Sequence, residues 1–218
     1  MPRSTSRPAR PAAACEATAA ELSALGPCLA LPADVSSVDG ARQLAAQLAQ
    51  REPALDILVN NAGAAWGEAF DTFPEGGLDK VVDLNMKAPF FLTQALHDAL
   101  RAGAARRPAK VINIASVDGI SVNPWETYSY AAGKAGLIHL TGRMALRLAQ
   151  DNIVVSGIAP GPFASEMNKQ ARDHADEVAK RVPVGRIGDA GDWPARRSSW
   201  RRGRATTSWG RPSWWMGV

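Results

Sequence analysis

Three pieces of sequence decide the fold. Lys110-Val111-Ile112-Asn113-Ile114-Ala115 ends at Ser116, Tyr130-Ala131-Ala132-Gly133-Lys134 begins fourteen residues after that serine, and Ile153-Val154-Val155-Ser156-Gly157-Ile158 closes at Pro160-Gly161. The two apolar runs read as short buried strands, and the segment between them, roughly 127–150, reads as a helix. Strand, helix and strand in that order imply a crossover connection and parallel pairing. Outward from this unit, Asp56-Ile57-Leu58-Val59 is another apolar strand that stops at Asn60-Asn61-Ala62-Gly63. A helix from about Gly77 to Ala102, interrupted near Pro89, joins it to the next strand. Upstream, Ser36 or Ser37 caps a helix running to about Gln50, with Leu44 and Leu48 on one face. Cys28-Leu29-Ala30-Leu31 reads as a strand ending at Asp34-Val35, and residues 12–25 as a helix stopped by Gly26-Pro27. Right-handed crossovers then give an α/β architecture, a doubly wound Rossmann-type parallel sheet covered on both faces. Ligands of such sheets bind beyond the carboxyl ends of the strands, where Asp34, Asn60–Gly63, Ser116 and Pro160-Gly161 all fall.

Tyr130 and Lys134 stand one helical turn apart on one face. A free tyrosine, with a pKa near 10, is a poor base at neutral pH. A neighbouring ammonium favours the phenolate, which makes the pair a workable acid or base. A hydroxyl from Ser116 at the adjacent strand end can hold a carbonyl oxygen in place, an arrangement suited to hydride transfer between a nicotinamide and a carbonyl or alcohol. Tyr128 has Ala132 rather than a lysine four residues on, so the role falls to Tyr130.

Taken in order, Asn60-Asn61-Ala62-Gly63, Ser116, Tyr130 with Lys134, and Pro160-Gly161 resemble the signature of the short-chain dehydrogenase/reductase family over roughly residues 16–190. The stretch from Val111 to Asn168 is similar to 3-oxoacyl-thioester reductases, including the branch linked to rhamnolipid synthesis. The resemblance implies a catalytic set of Ser116, Tyr130 and Lys134, with Asn85 completing a proton relay through water. It implies that Asp34 and Val35 flank the adenine ring, and that Asn60, Asn61, Ala62 and Gly63 line the cofactor ribose and hold the sheet together. Tyr130 and Lys134 would also bind the cofactor, and Pro160, Gly161, Phe163 and Ser165 would meet its nicotinamide end. The implied cofactor is NADP or NAD, with NADP slightly favoured. The implied substrate is a small molecule or an acyl thioester, and the implied assembly a homo-oligomer paired through helices 77–102 and 127–150. Trp125 lies in the loop on which substrate choice would depend.

The chain departs from the family's pattern at both ends. The Thr-Gly-x-x-x-Gly-x-Gly turn that cradles the pyrophosphate has no counterpart, and residues 1–14 are Arg/Pro/Ser/Ala-rich. The first two strands are therefore expected to be missing, and dinucleotide binding to be impaired. Residues 193–218 hold five of the seven tryptophans and six arginines without an acid. That composition fits a GC-rich gene read out of frame, and the segment is expected to be disordered, with the last strand missing. These departures leave a second reading open, an inactive fragment acting through its dimerisation helices.

Removing the tail's six charges from the total of +4 leaves the rest of the chain at −2. The basic character thus belongs to the tail, which argues against a nucleic-acid-binding domain. No apolar run reaches membrane-spanning length, so no membrane partner is expected. Two cysteines and three scattered histidines give neither a disulfide framework nor metal-ligand spacing, which points to a cytoplasmic protein without a metal.

Overall fold

The computed structural model describes residues 12–192 and the strand Trp214–Met216. Three parallel strands lie side by side in chain order: β1 (Ile57–Asn60), β2 (Ala109–Ile114) and β3 (Ile153–Ala159). Ile57 pairs with Lys110 and Ala109 with Ile153. Their β-branched residues suit a pleated, packed surface. A three-residue β4 (Trp214–Met216) pairs parallel with Gly157–Ala159 beyond β3. This corrects the expectation of a missing last strand. Pairing at an open strand edge asks only for backbone N–H and C=O groups, and tryptophan favours extended backbone. The expectation of disorder for the remainder of 193–218 lies outside the described residues, as does most of the segment 1–14.

A second correction concerns residues 28–31, which form no strand. No neighbouring strand pairs with this segment among the described residues, so its backbone groups lack a ladder partner there, and Cys28 and Leu29 are exposed. The helix before it, α1 (Ala12–Ser23), buries no side chain.

The remaining helices follow the apolar pattern. In α2 (Val38–Ala49), the Ser37 side chain accepts from the Gly40 N–H at 3.1 Å, and Ala41 and Ala45 turn inward. The long segment after β1 divides into α3 (Glu75–Val82), a five-residue π turn over 83–87, α4 (Ala88–Ala95) and α5 (His97–Ala104). Pro89, expected to interrupt it, sits in the first turn of α4. The wider turn ahead of it, where the Ala88 N–H reaches back to the Asp83 carbonyl, takes up the lost hydrogen bond. The break itself falls at Leu96. Helix α6 (Tyr128–Leu148) connects β2 to β3.

One face of the sheet carries the core. Ala109 and Val111 of β2 and Ile153 and Val155 of β3 pack with Leu92, Leu96 and Leu100 of α4–α5 and with Met144 and Leu148 of α6. A buried polar chain crosses the same face. Asn60 Nδ2 donates to Thr93 Oγ1 (3.2 Å) and Asn113 Oδ1 (2.8 Å), and Asn113 Nδ2 donates to Thr141 Oγ1 (2.9 Å). The opposite face, with Ile57, Val59, Ile112, Ile114, Val154 and Ile158, contributes nothing to that core. Cover on both faces is thus met on one face among the described residues.

Candidate active site

The site lies where β1, β2 and β3 end and α6 begins. Ser116 follows β2 in extended backbone (φ −162°, ψ 155°), and its Oγ accepts from the Asp118 N–H at 3.2 Å, capping the turn Val117–Gly119. The Ala115 N–H donates to the Ile158 carbonyl and the Val117 N–H to the Pro160 carbonyl, so the end of β3 fixes Ser116 from both sides. Tyr130 and Lys134 lie in the first two turns of α6, directed at this strand end.

Lys134 is almost wholly buried, 5% exposed, and Nζ donates to the Ile114 carbonyl at 2.7 Å. Desolvation lowers its pKa to about 8. The ammonium lies over the Tyr130 ring, 5.7 Å from its centre. Burial raises the Tyr130 pKa above its ordinary value; the hydrogen bond with Ser116 lowers it, and the Asp118 carboxylate raises it again. The lowering of the phenol's pKa expected from Lys134 is not among these effects, and the net direction is upward. One N–H of the ammonium is given to a backbone carbonyl of β2.

Asn85 sits in the π turn, fully buried, and its amide is used up locally. Oδ1 accepts from the Ala64 N–H (2.8 Å) and Nδ2 donates to the Ala64 carbonyl (2.9 Å). Its side chain clamps the loop after β1. Gly63, just before the clamp, leaves a hollow in which a Cβ would meet Asn85 Oδ1 at 3.1 Å, Met167 Cε at 3.7 Å and Lys134 Nζ at 3.8 Å. Gly63, Asn85, Lys134, Ser116 and Tyr130 thus converge.

Other expected residues lie further out. The Asn60 side chain points into the helical layer, where it joins the sheet to α4 and has no free face for a ribose. Asn61 and Ala62 are exposed beyond the end of β1. The Pro160 carbonyl holds the Ser116 turn, and Gly161 follows it. Phe163 bridges to Gly188, and the Ser165 hydroxyl accepts from the Asn168 N–H at 3.0 Å. Asp34 accepts from the Ser36 N–H, and Val35 packs against the helical core, both apart from the convergent group. Trp125 is half-exposed, with the Arg181 guanidinium 5.0 Å from its ring centre. Reading the sequence missed Asp118, Met167 and the Ala64 and Ile114 backbone. Backbone atoms carry no residue signal, and Met167 stands only two residues beyond Ser165.

The nicotinamide-ribose end of a dinucleotide fits what is present: a glycine hollow, a buried ammonium with N–H donors beyond the one given to Ile114, and a phenol. The pyrophosphate end does not fit, because no glycine-rich turn exists in the sequence.

The short chain dehydrogenase family model matches residues 6–176, and the chain belongs to that family of oxidoreductases. Among its relatives is the rhamnolipids biosynthesis 3-oxoacyl-[acyl-carrier-protein] reductase of Pseudomonas aeruginosa, 44% identical over 184 residues, which are 83% of this chain and 72% of that protein. The 3-oxoacyl-[acyl-carrier-protein] reductase FabG of Thermotoga maritima is 34% identical over 71% of this chain and 62% of its own length. The 2-dehydro-3-deoxy-D-gluconate 5-dehydrogenase of Escherichia coli is 38% identical over 73% and 63%. The chain therefore spans less than two thirds of some of these relatives. The solved RhlG/NADP active-site complex of Pseudomonas aeruginosa superposes with a TM-score of 0.85 at 39% identity, covering 96% of this chain and 82% of that one. A Brucella melitensis 3-oxoacyl-[acyl-carrier protein] reductase in complex with NAD gives 0.82 at 29% identity, over 92% and 81%. Among the described residues, no helix is long and apolar enough to cross a membrane.

Proposed function

We propose that the chain is an NAD(P)-dependent carbonyl reductase of the 3-oxoacyl-thioester type, with Ser116, Tyr130 and Lys134 as its catalytic set. The observation that carries this is the convergence of a buried lysine, a half-buried phenol hydrogen-bonded to a capping serine, and a glycine hollow at one strand-end cleft. A bound nicotinamide would supply or accept the hydride. Tyr130 gives its hydroxyl proton to the carbonyl oxygen of the substrate, or takes it back in the reverse direction. The Ser116 hydroxyl donates a hydrogen bond to the same oxygen and keeps it within reach. On this reading the remaining N–H donors of Lys134 would hold the cofactor ribose. Asn85 serves as the clamp of the 60–64 loop, its side chain being committed to Ala64, so any water relay would run through backbone groups. Met167 shares the Gly63 hollow and has to yield to a ligand.

NADP is the favoured dinucleotide, in line with the NADP complex of the 39% identical neighbour. The acyl-thioester substrate rests on two relatives of that activity, set against one sugar-acid dehydrogenase. Self-association is assigned to the outer surfaces of α4 and α6, which form a cleft of about 260 Å³ lined by Phe90, Leu140 and Met144, with Arg143 and Arg147 at its rim. The deciding assay offers NADPH with acetoacetyl thioester and, separately, with a keto-sugar acid. Faster turnover of the thioester, with Ser116→Ala reducing kcat about 100-fold, supports the reading. Preference for the sugar acid would reject the substrate class, and indifference to Ser116→Ala would reject the residue roles.

A further inference from the structure

We propose that Gly119 is a positioning residue for Ser116: it seats the turn after β2 directly on the backbone of α6 and so sets the distance between the Ser116 and Tyr130 hydroxyls. The inference rests on the reading of Ser116 and Tyr130 as one set and adds the device that spaces them.

The turn is a closed unit. Ser116 Oγ accepts from the Asp118 N–H, the Gly119 N–H donates to the Ser116 carbonyl, and the Ile120 and Ser121 N–H groups both return to the Val117 carbonyl. One end is tied to β3 through Val117 and Pro160. The other end rests on α6. A Cβ on Gly119 would stand 2.7 Å from the Lys134 carbonyl carbon, 2.8 Å from the Ala135 nitrogen and 2.9 Å from Ile138 Cδ1. Two of these neighbours are helix backbone, which cannot swing aside as a side chain can. Left-handed φ among the described glycines occurs at Gly26 and Gly185, so Gly119 is required by close approach and not by its conformation. Gly133, one turn from Tyr130 on the same helix, differs: its added Cβ would find ordinary contact, Asn85 Cβ at 3.4 Å being nearest.

The Lys134–Ala135 peptide lies about one turn along α6 from Tyr130, so the seat of the turn and the phenol share one rigid frame. Lys134 Nζ on the Ile114 carbonyl is a second tie between the same elements. A methyl group at Gly119 has to lift the turn from the helix and carry Ser116 with it.

The test reads Tyr130 directly. The chain has two tyrosines, so Tyr128→Phe leaves Tyr130 alone, and its phenolate can be titrated by ultraviolet absorbance without cofactor. The groups facing it are the Ser116 hydroxyl, the Lys134 ammonium over the ring and the Asp118 carboxylate. Asp118→Asn, added to the background, removes the one charge that moves with the turn. In that background Gly119→Ala is expected to raise the midpoint by about 0.5–1 unit, as Ser116→Ala does, and the two together by no more than either alone. Gly133→Ala is expected to leave it unchanged. Ile138→Ala loosens the same seat without forcing a clash, so it serves if Gly119→Ala fails to fold, with a smaller rise that vanishes in Ser116→Ala. In turnover assays Gly119→Ala lowers kcat about 10–100-fold with the dinucleotide KM unchanged. An unchanged midpoint in both seat variants, or a shift that persists undiminished in Ser116→Ala, would overturn the proposal. Because the titration needs no turnover, its outcome is separate from that of the reductase assay.

Discussion

The two faces of the sheet are built from the same residue types and have opposite fates. On one, Val111 is fully buried and Val155 nearly so, under α4, α5 and α6. On the other, Ile57 and Val59 are 46% and 50% exposed. The contrast teaches that, among the described residues, the candidate site is placed by the packed side of the sheet. Every element that places Ser116, Tyr130, Lys134 and Asn85 belongs to the covered face or to the strand ends above it.

The largest difference between the faces should appear on truncation. Leu100→Ala, in the covered core, is expected to destabilise by about 2–5 kcal/mol, whereas Val59→Ala on the open face should stay within about 0.5 kcal/mol. Equal effects in urea unfolding would show that the second face is packed after all.

Lys134 sharpens the comparison from another side. Its folded pKa of about 8 lies below the unfolded value of 10.5, so between these pH values the unfolded chain binds more protons. Stability from this group therefore rises with pH across that window, and burial costs most below pH 8. Lys134→Met is expected to be more stable than the parent by about 3 kcal/mol at pH 7, with the gap closing by pH 10.5, and to lack activity. A gap constant in pH would show that the ammonium is not desolvated.

Smaller effects follow. Gly133→Ala, which the space around it tolerates, should stabilise α6 by about 1 kcal/mol, read as a higher Tm. Val59→Lys should leave stability within about 0.5 kcal/mol while reducing aggregation at the open edge of β1, measured by light scattering. More aggregation than in the parent would mean that this edge is not the adhesive surface.

Much of this was legible before the structure. The strands at 57–60, 109–114 and 153–159 and the helix carrying Tyr130 announce themselves by apolar runs and periodicity, and the motif residues fall at strand ends as parallel topology requires. The failures have physical causes. Residues 28–31 have strand composition but no partner, and pairing is a property of two segments. Residues 214–216 have no recognisable strand pattern, yet backbone pairing tolerates them. The commitment of Asn85 to Ala64, the raised Tyr130 pKa and the seat of Gly119 arise from contacts between distant segments, which no local pattern encodes.

The central claim is that the covered half of the sheet holds a working proton donor at Tyr130. NADPH oxidation with acetoacetyl thioester, at the highest usable NADPH concentration, tests it in the parent, Tyr130→Phe and Tyr128→Phe. The account predicts turnover in the parent and Tyr128→Phe and a loss of at least about 100-fold in Tyr130→Phe. Equal turnover in Tyr130→Phe, or none in the parent at any dinucleotide concentration, would contradict it.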